Sequence, residues 1–500
     1  MGEKYIKWDF TGKCNLRCRH CSVGKQYFSG RVNEISLEEK LSVVKNVAAG
    51  GIKGISFLGG EPLVLDEDFF TVATQAALRG IDTTLVTNGM LLGERTWGRL
   101  LDSGIDQVVV SLDGASEQTH GFVRGSNTFA TVTGNLRGFA EYAASHDQAV
   151  RIKVNTVLNR RNLPEMTAML NLCRGLPVDE WSLLSLGGVG YAEDHMDELG
   201  LSPREEIEAA RMLAQAVQSL GADTAPALSP QFAYPLVWDC IEKQSGLTMP
   251  RTRVCCNAAI SLGFIGPDGM LYPCDRIANK EYIGARIGGA EIRPMSLLDS
   301  SFYEIWNSDY FVNMFKFILD PNTYRDYDPC NRCRYLKDRS CNPCPLYSLN
   351  SKVAINTCKI AEKVVGDISG KEQPSYYLNS TTGKSRGAAD VIGPRIGSEI
   401  PVKQEGVRFY AEAEFGVLLN PYTVDFMGVN RIGQEIWRMI DGHNSVDTIV
   451  SQLEQVALEV RNRIAAGASD TNLGDLLRNN IHLFLSDLTD AGVIRFRDGG

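Results

Sequence analysis

No apolar run in the 500 residues approaches the ~20 that a helix needs to span a bilayer, so no membrane role is expected. An excess of positive charge is missing as well. Lysine and arginine number 51 against 60 aspartate and glutamate, and the formal net charge of -9 opposes binding to nucleic acid or anionic lipid. Met1 to Trp8 has no apolar core of the kind that marks a secretory signal, and a cytoplasmic location is expected. With 44% hydrophobic residues, the chain has enough apolar side chains for more than one packed core. The 13 cysteines are its unusual possession. In a reducing compartment they argue against disulfides and for metal ligation.

The thiols are distributed unevenly. Cys14, Cys18 and Cys21 are spaced C-x3-C-x2-C after a short apolar strand, with no fourth cysteine nearby. Iron-sulfur clusters normally take four cysteines, so a trio implies a cubane whose last iron is open to another ligand. A structural zinc knuckle is the competing reading of the spacing. Eight more thiols form a second group, Cys255, Cys256, Cys274, Cys330, Cys333, Cys341, Cys344 and Cys358. Eight suit two cubanes, although paired C-x2-C spacings also suit a zinc ribbon. Cys173 lies on a helical stretch far from both groups and reads as a buried small hydrophobe.

From Tyr5 to about Leu186, short β-rich runs alternate with amphipathic helical stretches, the pattern of parallel strands joined by crossover helices. Six strands are expected, near Ile6-Phe10, Gly54-Phe57, Thr83-Val86, Gln107-Leu112, Arg151-Val157 and Trp181-Leu186. Capping boxes at Ser36-Leu37-Glu38-Glu39 and Ser202-Pro203-Arg204-Glu205 start two of the helices. Six units are too few for a closed eight-stranded barrel, so the expected fold is α/β, a partial (β/α)6 TIM-like barrel. Its reactive groups would come from loops after the strands' C-terminal ends. Every chemically suggestive motif sits at such an end. Cys14 follows strand one, Gly59-Gly60-Glu61-Pro62 strand two, Thr87-Asn88-Gly89 strand three and Ser111-Leu112-Asp113-Gly114 strand four. Two glycines let backbone approach a ligand closely, and Glu61 offers an acceptor for an ammonium. Gly187-Gly188-Val189-Gly190 lacks the Lys-Ser/Thr of a phosphate loop and reads as a flexible turn.

The text from Phe10 to Cys21, with the Gly-Gly-Glu-Pro motif, resembles the radical S-adenosylmethionine (SAM) superfamily. That resemblance implies a 4Fe-4S cluster on Cys14, Cys18 and Cys21 whose open iron is chelated by the amino and carboxylate groups of SAM. Gly59, Gly60 and Glu61 would hold the methionine amine, and Ser111 the SAM ribose or carboxylate. Arg124 would pair with the carboxylate, Asn155 with the ribose, and His20 would lie on the adenine side. For Arg124 the competing reading is a solvated surface charge.

The second cysteine group resembles the SPASM extension, which binds two auxiliary 4Fe-4S clusters. The family usually has C-x2-C-x5-C-x3-C where this chain has seven and two intervening residues, Cys333-x7-Cys341-x2-Cys344. The resemblance implies Cys256, Cys274 and Cys344 at the first auxiliary cluster, with Cys255 or Cys240 as fourth ligand, and Cys330, Cys333, Cys341 and Cys358 at the second. Asp275, beside Cys274, stands where sulfatase-maturating relatives place a general base; the alternative is a turn cap or a partner of Arg276.

Residues 366 to 402 are rich in Gly, Ser and Pro and read as a linker between a SPASM region at 236 to 365 and a domain at 403 to 500; the SAM core takes 1 to 235. Strands are expected at Val407-Tyr410, Gly416-Leu419 and Thr423-Met427, and helices at Gln434 to Ile440, Val446 to Val456 and Leu473 to Leu488. This winged-helix-like α+β segment resembles PqqD-like domains that grip the leaders of ribosomally made precursor peptides. DNA binding is the rival, but residues 401 to 500 hold nine Lys/Arg and fourteen Asp/Glu, which opposes it. The whole resembles a maturase that abstracts hydrogen from a precursor peptide and forms a thioether or carbon-carbon crosslink, with flavodoxin or ferredoxin as reductant. Formylglycine formation and a noncatalytic peptide-binding scaffold are the alternatives.

Overall fold

The computed structural model describes residues 3–220 except 31, 126, 147 and 148, then 227–247, 249, 256–278, 284, 286–287, 290–337, 340–346 and 349–369; beyond these it describes 377–378, 400–403, 408–411, 415–419, 426–453, 455, 485 and 494–497. The chain forms two compact units, Lys4–Lys371 and a second built mainly of Glu372–Gly500.

The larger unit is organised by one open sheet. Seven parallel strands follow in chain order: β1 (Tyr5–Thr11), β2 (Gly54–Gly59), β3 (Asp82–Thr87), β4 (Gln107–Ser111), β5 (Arg151–Leu158), β6 (Glu180–Ser185) and β7 (Ala227–Pro230). Helices connect the first six, giving the expected partial TIM-like barrel. The sequence pattern missed how far the sheet continues. β7 extends one edge, while β8 (Leu262–Ile265) pairs in parallel with β1 and carries β9 (Met270–Tyr272) and β12 (Met295–Ser296) antiparallel beyond it. These added strands are two to four residues long, too short to show a periodicity. A separate ribbon joins β10 (Arg286–Ile287) to β11 (Ala290–Glu291).

β1 is therefore interior, flanked by β2 and β8. Trp8 and Phe10 are fully buried; Phe10 packs edge-on with Trp8, with Phe57 of β2 and with Phe69 of the helix Glu67–Ala77. Burial on both faces suits a strand of parallel type and fixes the strand whose end presents Cys14. Between Asp9 and Thr11 the β1–β2 register shifts, bending the chain out of the sheet just before the cysteine loop. Both capping boxes form: Glu39 N–H bonds Ser36 Oγ and Ser36 N–H bonds Glu39 Oε2, and Ser202 and Glu205 repeat the exchange.

In the second unit β13 (Tyr377–Leu378), β15 (Arg408–Ala411), β16 (Phe415–Leu419) and β17 (Phe426–Asn430) form an antiparallel sheet in the order β13-β17-β16-β15, and β14 (Ile400–Lys403) pairs with β18 (Ile494–Arg497). β13 thus lies inside the stretch read as linker and β14 straddles its end, two short strands that its polar composition hid. The helix Arg431–Met439 follows β17, and Ile436, Trp437, Ile440, Val446, Ile449 and Val450 are buried. The third expected helix falls outside the described residues except Leu485, which is buried. Among the described residues no helix is long and apolar enough to cross a membrane.

Candidate active site

The loop after β1 holds Cys14, Cys18 and Cys21, all half-buried. Backbone contacts set its path: Cys21 N–H bonds Cys18 O at 3.2 Å, Arg19 N–H bonds Val123 O at 2.9 Å, and Tyr191 N–H bonds Cys21 O at 2.9 Å. The glycines of the second strand end act on this loop. Gly60 N–H bonds Thr11 O at 2.7 Å and Glu61 N–H bonds Lys13 O at 2.8 Å, and a Cβ on Gly60 would stand 2.0 Å from Lys13 O. Gly59 has φ +111°, and its Cβ would meet Thr11 O at 2.6 Å. The close approach that two glycines permit is to the cysteine loop itself. Gly190 does the same from the end of β6, with φ +64° and a Cβ position 2.5 Å from Cys21 O. The run read as a flexible turn is a packed abutment of that loop. A glycine run gives no sequence signal of the backbone it meets.

Glu61 is fully buried, and its carboxylate turns inward. It accepts from Thr87 Oγ1 at 2.9 Å, Asn88 N–H at 2.7 Å and Leu63 N–H at 3.2 Å. Burial pushes it up to about 7, against the pull of these bonds. The side chain expected to face an ammonium joins the ends of β2 and β3 in this structure. Through Asn88 it reaches the thiol loop, since Asn88 Nδ2 donates to Asn15 Oδ1 at 2.7 Å.

Arg124 is neither a solvated surface charge nor a free carboxylate clamp. It is 8% exposed, and its Nε donates to Asp113 Oδ2 at 2.5 Å. His20 Nε2 lies 2.9 Å from the same oxygen, and Arg124 Nη1 is 4.0 Å from Cys18 Sγ. Asp113 is fully buried and takes Val157 N–H at 2.7 Å on its other oxygen, while His120 Nδ1 accepts Asp113 N–H at 3.1 Å. Burial opposes the Asp113 charge, but Arg124, His20 and the amide outweigh it and hold the carboxyl well below the usual range. Asp113 and His120 are the groups that sequence reasoning left without a role; the pair's spacing of seven, across a helix start, was their one signal.

The donor chemistry fits an iron-sulfur cluster. Burial raises the thiols, Cys18 to about 12, with Cys21 and Cys14 adding to it; thiols held this way ionise on meeting a metal cation. Among the described residues the side chains do not converge on one ligating point as they stand. Three buried polar atoms at the barrel's mouth have no partner: His20 Nδ1, His120 Nε2 and Asn155 Oδ1. Such atoms are costly unless a ligand satisfies them. Ser111 and Asn155 are register partners at the ends of β4 and β5, so the strand ends bring together two of the positions expected to meet SAM.

The second cysteine group divides in two. Cys330, Cys333, Cys341 and Cys358 line one cavity with Tyr234, Pro343 and Ile355. Cys274, raised by burial, feels Asp275, Cys256 and Cys344. Cys256 is fixed by its N–H to Asn342 Oδ1 at 2.7 Å. Cys255 lies outside the described residues. Cys240 is not beside Cys256: it is buried with Leu236, Cys333, Cys358 and Ala361, because its helix, Pro235–Ser245, packs under the other set. Cys173 is fully buried, as its apolar surroundings implied.

Asp275, expected as a general base, is exposed. A buried acid stands near it instead. Asp9 of β1 is 2% exposed, accepts a hydrogen bond from Tyr27 Oη, and is raised to about 7, chiefly by burial, with Asp275 adding to the shift.

Strand-end thiols, a glycine-braced loop and orphaned polar atoms gather at the strand ends of the partial barrel, where comparison with other proteins places a known class. Three family models match the chain: radical SAM superfamily at residues 8–168, iron-sulfur cluster-binding SPASM domain at 255–334, and coenzyme PQQ synthesis protein D (PqqD) at 416–494. The chain belongs to the radical SAM enzymes and carries SPASM and PqqD domains. An AdoMet-dependent heme synthase of Methanosarcina barkeri (strain Fusaro / DSM 804) is 26% identical over 349 residues, 67% of this chain and 89% of that protein. The native structure of anSMEcpe with bound AdoMet shares the fold, with TM-score 0.50 and 15% identity over 72% of this chain and 97% of its own. Streptococcus suis SuiB bound to S-adenosylmethionine is similar at TM-score 0.49 and 14% identity, covering 70% and 72%.

Proposed function

We propose that this enzyme modifies a ribosomally made precursor peptide by radical chemistry and forms a thioether or carbon-carbon crosslink. The observation that carries the reading is the PqqD match at 416–494 joined in one chain to a radical SAM core and a SPASM region. When bound, the cluster and SAM supply a 5'-deoxyadenosyl radical that abstracts hydrogen from the substrate. Cys14, Cys18 and Cys21 would hold the cluster, and the Asp113–Arg124–His20 network packs against Cys18. The unpartnered His20, His120 and Asn155 atoms orient SAM. Cys330, Cys333, Cys341 and Cys358 hold one auxiliary cluster; Cys256, Cys274 and Cys344 hold another, completed by Cys255. Asp275 would accept the proton that leaves the substrate.

In the second unit, β15 ends the sheet order and has no strand on its outer side among the described residues, which gives a leader segment an edge to extend. The boundaries 1–235 and 236–365 belong to this proposal, whereas the stretch 366–402, read as linker, contributes β13 and most of β14 to the second unit ahead of 403–500. The heme synthase relative favours a second reading, radical chemistry on a tetrapyrrole. The test is anaerobic turnover with reductant, SAM and a peptide encoded beside the gene. Loss of hydrogen from the peptide with 5'-deoxyadenosine release supports the proposal; 5'-deoxyadenosine with a tetrapyrrole alone overturns it. Deleting 403–500 should abolish affinity for the full-length precursor.

A further inference from the structure

A second cavity lies at the ends of β5 and β6, and its carboxylate, Glu206, acts on the Cys358 thiol. It opens to solvent and is lined by Leu158 at the end of β5, Ser185 at the end of β6, Met196, Leu201, Phe232 and Glu206. Leu158, Met196, Leu201 and Phe232 supply its apolar walls, and Ser185 and Glu206 its polar ones. Glu206 stands in the first turn of the helix Pro203–Leu220, and Thr357 donates to its Oε2 at 2.5 Å. Among the described residues no cation pairs with it. The neighbouring residue shows the contrast, because Glu205 takes Arg160 Nε at 3.0 Å and is held down to about 2 by that bond. Glu206 is driven the other way, to about 7, by burial with only the Thr357 hydroxyl in opposition.

A carboxylate facing an apolar cavity without a counter-charge is costly, and an incoming cation removes the cost. The walls set a second condition, since they reward aliphatic surface. One chemical class meets both, an ammonium on a flexible hydrocarbon stem. We propose that this cavity is a binding subsite for a primary aliphatic ammonium, with Glu206 as its counter-ion and Leu158, Met196, Leu201 and Phe232 against its stem. The subsite lies at the strand ends where barrels of this type bind substrate. On the peptide reading of the function, the group it takes is a lysine side chain of the substrate.

The probes are N-acetyl-lysine methylamide and N-acetyl-norleucine methylamide, which share the stem and differ in the ammonium. Each is titrated calorimetrically into the full-length protein. The lysine compound binds about tenfold or more tightly than the norleucine compound, the value of a charge-assisted hydrogen bond. Glu206→Gln brings the ratio close to one while norleucine binding persists. Leu201→Trp, which fills the cavity and leaves Glu206 in place, removes binding of both. Equal binding of the two probes to the unaltered protein, an undiminished ratio in Glu206→Gln, or unchanged binding in Leu201→Trp overturns the proposal. So does a failure of the lysine compound to bind. These readouts need no turnover, so they fail or hold independently of SAM cleavage.

Discussion

Arg124 and Asp113 form a buried ion pair at 2.5 Å, the guanidinium Nε on Oδ2, directly beside Cys18. Arg124 comes from the end of the helix Glu117–Arg124 and Asp113 from the turn after β4, so the pair ties a helix terminus to the sheet under the cluster loop. Removing the cation alone leaves a carboxylate with 0% exposure held only by His20 and the Val157 amide.

Arg124→Met should therefore lower stability by roughly 3–5 kcal/mol, measured by urea unfolding of the anaerobic protein. The double variant Arg124→Met with Asp113→Leu should recover much of that loss. A single variant as stable as the parent would show that the pair is not coupled.

Gly60→Ala should displace the cysteine loop, because its Cβ position lies 2.0 Å from the Lys13 carbonyl. Reconstituted protein should lose the iron assigned to Cys14, Cys18 and Cys21 while retaining auxiliary iron. Gly134→Ala is the control: nothing lies within 4 Å of its Cβ position in the helix Phe129–Ser145, and it should stabilise by about 0.5–1 kcal/mol. Full iron in Gly60→Ala would refute the bracing role.

Cys341→Ala should cost one cluster's iron, and Cys240→Ala should leave the iron count unchanged. Cys240 is packed among apolar neighbours, and only burial raises its thiol. Chemical iron analysis separates the two outcomes.

Asp9, raised to about 7, binds its proton more tightly folded than unfolded. The stability it contributes is full below the unfolded value near 4 and is lost as the pH rises through about 7. Unfolding at about pH 5 and about pH 8 should show a smaller decline in Asp9→Asn than in the parent. Glu61 shares the direction and leaves a residual slope. An identical decline in both proteins would place Asp9 outside the titration.

The sequence by itself determined the barrel strands β1 to β6, through their alternation with helices, and marked the strand ends that carry Cys14, Glu61 and Ser111. It also marked the thiol sets, because ligand spacing is local and survives in the text. Tertiary structure decided what those groups face. Glu61 turns to Thr87 and Asn88, Arg124 to Asp113, Gly190 to Cys21, and Cys240 to Cys333 and Cys358. Each of these partners is distant in the chain, and burial, which sets charge and orientation, is a property of packing that no local spacing encodes.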